Sequence, residues 1–212
     1  MAERLVQKVP APALPIPKEG PVKQYLDDLN NILRLFFNLV SNAVNSVFGE
    51  QGGRFIEAPN AKFFSTVDQT ASVINTAYAL QFENTYLGEA ISIVGTQITP
   101  LYSGVYNFEL SVELTSTNAN SKELSFWVRR SGVDIANTGR MHVVAGSGGV
   151  DDFEYSFTMD LTAGQYIELM WATDDTGITI DYQAAASPRP AVPSTLLTVV
   201  FVSAVPETLP TP

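Results

Sequence analysis

Residues 104–114, GVYNFELSVEL, alternate without a break: Tyr106, Phe108, Leu110, Val112 and Leu114 fall on one face, and Asn107, Glu109, Ser111 and Glu113 on the other. A period of two, apolar on one side and polar on the other, marks a strand that covers a core while its reverse meets water. FEYSFTMDL, residues 153–161, repeats the device, with Phe153, Tyr155, Phe157, Met159 and Leu161 inward. A turn at Ala163 and Gly164 then leads into QYIELMW (165–171), which predicts a hairpin between the two segments. Further strands are expected at 76–82, 123–130, 177–183 and 194–203, between loops rich in Gly, Asn, Ser and Asp. Many short strands without intervening helices predict a mainly β head folded as a β-sandwich. The last segment, STLLTVVFVS, is apolar on both faces, as expected of a central strand or of one whose outer face meets another subunit. Leu197, Val199 and Phe201 are its candidate interface residues.

Upstream of the head the period changes. Val22, Leu26, Leu29, Leu33, Phe36, Val40, Ala43 and Val47 recur at alternating spacings of four and three, the seam of a left-handed coiled coil. Tyr25, Ile32 and Leu39 flank the seam on one side, and Phe37 and Val44 on the other, where a two-stranded coil would carry charges. So wide a stripe suits a three-stranded stalk or a helix that also leans on another protein. An amphipathic helix packed on its own domain is the plainer alternative. Pro21 suits the first helical position, and Gly49, Gly52 and Gly53 end the segment. Before it, VPAPALPIPKEGP (9–21) is held extended by its prolines and has no partner within itself, so it reads as a docking arm with Val9, Leu14 and Ile16 as apolar contact points. The expected organisation is an arm over 1–20, a helical stalk over 21–49, a linker over 50–61, the head over 62–204 and a tail over 205–212.

A net charge of −10 with only 12 basic residues repels phosphate backbones, which argues against nucleic acid as a partner. With no cysteine, disulfides, thiolate zinc sites and cysteine nucleophiles are excluded. No run is apolar enough to span a bilayer, so a soluble protein made in a cytoplasm is expected, with no membrane partner. His142 is the single histidine and no Gly-x-Ser-x-Gly elbow accompanies it, which argues against a catalytic triad. The pairs Asp27–Asp28, Asp151–Asp152 and Asp174–Asp175 lack the spaced ligands of a calcium loop. AGSGG (145–149) is not followed by Lys-Ser/Thr or a helix pattern, so it reads as a loop and not a phosphate cradle. Trp127 and Trp171 fit core or interface roles better than a sugar platform. The expectation is a protein without enzymatic activity, cofactor or metal.

The order of a Gly-x-Tyr-x-Phe strand (Gly104, Tyr106, Phe108), a Leu-x-x-Gly turn before an alternating strand (Leu161, Gly164, Ile167, Leu169) and a terminal apolar strand resembles the trimeric jelly roll of tumour necrosis factor and the complement globular heads. Gln165 stands where the complement heads usually carry Asp, and no collagen repeat precedes the head. YLDDLNNILRLFFN (25–38) resembles the N-terminal segments of tailed-phage virion proteins. These resemblances imply a jelly-roll head and a coiled-coil stalk joined as a homotrimer on one axis. They imply a structural virion component: a capsid decoration or cement protein, or a head fibre or spike, held by its arm and helix on the major capsid protein or another virion protein. The alternative they leave open is the tip of a short tail fibre that binds a host receptor or glycan.

Overall fold

The structure, a computed structural model, describes residues 22–47, 58–146 and 148–204, with residues 46 and 47 as backbone alone. The chain divides into two compact units, one holding a helix and the other a β head. The expected arm, tail and most of the expected linker lie outside the described residues, as do the glycines proposed to end the helix.

The helix, α1 (Lys23–Val47), lies within residues 21–49, where a helical stalk is expected. Its first turn holds no acid and its last turn no base, so neither end of the dipole is compensated by charge. Lys23 lies at the wrong end and is offset by Asp27, 2.8 Å away one turn on. A helix of this kind owes its stability to packing of an apolar face and not to its termini.

The head runs β1 (Asn60–Ser65), β2 (Gln69–Thr70), β3 (Tyr78–Ala79), β4 (Asn84–Glu89), β5 (Ile91–Val94), β6 (Gln97–Pro100), β7 (Gly104–Ser116), β8 (Lys122–Arg130), β9 (Val133–Asp134), β10 (Arg140–Val144), β11 (Val150–Leu161), β12 (Ile167–Thr173), β13 (Ile178–Ile180) and β14 (Thr195–Ser203). They form two antiparallel sheets. In the first, β4, β1, β14, β7 and β11 lie side by side, with β13 and β2 continuing beyond β14 along the far end of β7. In the second the order is β5, β6, β12, β8 and β10, with β3 and β9 as short additions. Among the eight principal strands β1, β6, β7, β8, β10, β11, β12 and β14, the first pairs with the last, the second with the seventh, the third with the sixth and the fourth with the fifth. That nesting is one long hairpin rolled up on itself, the jelly roll.

The alternation read in 104–114 holds over the whole of β7, whose even-numbered residues from Tyr106 to Leu114 are buried. Phe126 of β8 stacks on Phe153 of β11 at 4.3 Å, tying the two sheets through the core. Gly104 is required by packing: a Cβ there would stand 2.3 Å from the ring of Phe201, which meets Tyr106 edge-on at 5.5 Å. The Tyr106 hydroxyl donates to the carbonyl of Tyr102 at 2.7 Å, so the inward tyrosine is satisfied.

Three expectations are corrected. The turn at Ala163 and Gly164 is present, with the Gln165 amide donating to the Thr162 carbonyl at 2.9 Å and Gly164 at a φ of 77°. It joins β11 of one sheet to β12 of the other, so the two strands cross the sandwich and form no hairpin. The head begins at Asn60, inside the expected linker, because β1 pairs with both β14 and β4 from that residue. β14 is central, as one reading of its two apolar faces required, but Leu197 and Val199 are 0 and 1 % exposed within the head's own core. With Phe201 packed on Tyr106, the three residues expected at an interface point inward. The outward face of the strand belongs to Leu196, Thr198 and Val200.

Candidate functional site

Among the described residues, an exposed apolar surface lies on α1 and the Val22 before it. Val22, Tyr25, Leu26, Leu29, Ile32, Leu35, Phe36, Leu39 and Val40 are between 37 and 70 % exposed. Of the predicted seam, Val22, Leu26, Leu29, Phe36, Val40 and Ala43 are exposed, Leu33 is half-buried, and the side chain of Val47 is outside the described residues. The flanks differ. Tyr25, Ile32 and Leu39 are open, whereas Phe37 and Val44 are half-buried and Ser41 between them is buried. The open stripe is therefore the seam except for half-buried Leu33, together with one flank and Leu35 beyond it. Val9, Leu14 and Ile16 of the arm lie outside the described residues.

The head carries two smaller apolar surfaces at opposite ends of its sheets. At one end is β10, the last strand of the second sheet, beside β11, the last of the first. His142 turns inward toward Phe153, so its neighbours Met141 and Val143 turn outward, 71 and 59 % exposed, and Val150 opens beside them. Natural edge strands are usually blunted by charge, and this one has only Arg140, whose guanidinium lies over the Tyr155 ring at 5.5 Å. At the other end, β4 exposes Tyr86 and Leu87. Leu87, Lys62 and Thr198 form one cross-strand row, with Asn60–Val200 and Phe64–Leu196 on either side. Lys62 sits 5.8 Å above the Tyr86 ring. The face between these ends turns acidic toward β11: burial, then the carboxylate of Asp152 directly across the ladder, holds Glu113 above the usual carboxylate range, with Arg189 acting against it.

The residues singled out for their chemistry make contacts within the scaffold. His142 Nε2 lies 2.9 Å from Asp151 Oδ2, a contact between the edge strands of the two sheets. Its described neighbours are this carboxylate and an aromatic ring, with no nucleophile between them. Asp175 accepts from the Gly177 amide at 2.7 Å and the Asn118 side-chain amide at 2.6 Å, and pairs with Lys122 at 3.1 Å. Those donors hold its carboxyl at about 2, the Gly177 amide first. A carboxylate so engaged closes a turn, and among the described residues no group of three or more acidic, His or Cys side chains clusters as a metal site. Trp171 is buried in the core, while the Trp127 indole donates to Asp134 at 2.9 Å on the outer surface. No described helix is long and apolar enough to cross a membrane.

No protein-family model and no curated protein matches the chain. Among solved structures it is similar to two crystal structures of murine APRIL, at pH 8.0 and pH 8.5, with TM-scores of 0.46 and 0.45. Identity is 11 % in both, over 69 and 68 % of this chain and all of each of those chains.

Proposed function

We propose that the chain is a structural component of a phage virion: a homotrimeric capsid decoration, cement or head-spike protein that docks through its N-terminal arm and helix on the major capsid protein or another virion protein. The observation that carries this reading is the open stripe of α1. Burying one Leu, Ile or Phe side chain contributes about 1.5–3 kcal/mol, and a helix with uncompensated ends gains from covering the whole stripe. Three parallel copies cover a stripe wider than a two-stranded seam. At 1.5 Å per residue α1 extends about 38 Å, enough to seat a head on a shell and short for a far-reaching fibre. The resemblance of residues 25–38 to virion proteins supports the same setting, and no catalytic role is assigned to the head.

Three arms on one trimer bind with avidity when shell sites match their spacing. Deleting residues 1–20 should leave a soluble trimer that no longer sediments with capsids, while the intact protein sediments with them and raises their resistance to heat. Full decoration by the truncated protein would contradict the arm's role. Binding to host cells, with no binding to capsids by either form, would replace this function with the receptor-binding fibre tip.

A further inference from the structure

Where β2, β3 and the turn between β5 and β6 come together, Asp68, Thr70, Tyr78, Gln81, Thr96 and Trp171 line a cleft of about 420 Å³. That volume falls within the roughly 300–1,000 Å³ of small-molecule sites. Its walls are fixed before any ligand arrives. Gln69 clamps the backbone of Gln81 in both directions, accepting from its amide at 2.9 Å and donating to its carbonyl at 3.2 Å. The Tyr78 ring leans on Trp171 at 5.4 Å, and its hydroxyl is held by the Val73 amide at 2.9 Å and Ser72 Oγ at 3.0 Å. Asp68 Oδ1 accepts from the Tyr182 amide at 2.8 Å, and Thr96 donates to Glu168 at 2.6 Å.

Left over are the second oxygen of Asp68, the Thr70 hydroxyl and the Gln81 side-chain amide, none of which has a hydrogen bond to a described residue. A carboxylate, a hydroxyl and an amide beside a half-buried tyrosine ring match the edge and the face of a pyranose: hydroxyls around the rim, C–H groups on the flat side. Among the described residues, no Lys, Arg or His lines the cleft. Asp181 nearby is held above the usual carboxylate range, first by burial and then by the Asp68 carboxylate, so the local field is negative and disfavours anions. We propose that this cleft binds a neutral sugar ring, with Tyr78 against its C–H face and Asp68, Thr70 and Gln81 hydrogen-bonded to its hydroxyls. The described residues that line the cleft all belong to one head, so this goes beyond the assembly role and stands whether or not the chain is a trimer.

The test is a backbone and indole N–H NMR titration of the full chain with glucose, galactose, mannose and N-acetylglucosamine, each to about 50 mM, which covers millimolar affinities. At least one sugar should give saturable shifts confined to residues 68–70, 78–81, 96 and the Trp171 indole, and inorganic phosphate should give none. Asp68→Asn keeps an acceptor for the Tyr182 amide and so keeps the fold, yet should weaken binding about tenfold or more; Thr70→Val should weaken it in the same direction. No shift with any of these sugars, shifts scattered over the head, affinity unchanged in both variants, or an equal response to phosphate would overturn the assignment.

Discussion

Asp175 shows how single residues hold the head together. Its folded carboxyl, at about 2, lies below the ordinary value of 3.8, so its contribution is present above pH 4 and is lost as the pH falls toward 2. Asp175→Asn should lower the urea midpoint at neutral pH, and the gap from the parent should close near pH 2. A gap that does not change between those pH values would show that the Gly177, Asn118 and Lys122 contacts are incidental. Gly104 tests packing in the opposite direction: Gly104→Ala drives a methyl into the Phe201 ring, and overpacking of this kind costs about 1–3 kcal/mol, measurable by denaturant unfolding. His142→Ala should cost no more than about 1 kcal/mol, since it removes one partly exposed pair with Asp151. Gly104 was visible in the sequence as part of a motif, but the ring that makes it necessary is nearly a hundred residues away. The cleft proposed to hold a sugar was not visible at all, because its groups are spread from Asp68 to Trp171 and meet only when the sheets close.

At the scale of elements, periodicity revealed what each strand buries but not always where it goes. β7 and β11 were legible because each has one apolar and one polar face, so burial follows directly from alternation. β14 was legible as either a central strand or one that meets another subunit, because two apolar faces do not say which is the core; its neighbours β7 and β1 decide that, and they turn Leu197 and Val199 inward. The false hairpin has a similar cause. The turn at Gly164 has local geometry that suits either a return within one sheet or a step across to the other, and only the long-range pairing of β12 with β8 selects the crossing. β2, β3 and β9 are two residues long, too short for any period to show. For α1 the seam predicts that Leu29→Asp with Leu33→Asp will place unpaired charges in an apolar contact and dissociate the assembly. The head has its own core in a separate unit, so its melting transition, followed by near-ultraviolet circular dichroism, should be unchanged. A head that unfolds along with the double variant would contradict this separation.

For the whole molecule, the proposed homotrimer would have cyclic symmetry, in which each contact between heads joins two different patches and the ring closes. The β10 end, with Met141 and Val143 near acidic Asp152 and Glu154, and the β4 end, with Leu87 and Lys62, lie on opposite flanks of the head and would supply two such patches. Because the chain has no cysteine, Leu87→Cys with Val143→Cys can be joined by a short bismaleimide without background. The double variant should give a covalent species of three chains on a denaturing gel, and each single variant should remain one chain. Linked pairs from Val143→Cys alone would mean that like edges meet, against the ring. The homotrimer itself is tested most directly by multi-angle light scattering on the intact chain across a wide dilution series. The expected result is one species at three times 23.0 kDa that persists on dilution, and a mass of 23.0 kDa in both dilute and concentrated solution would contradict the account.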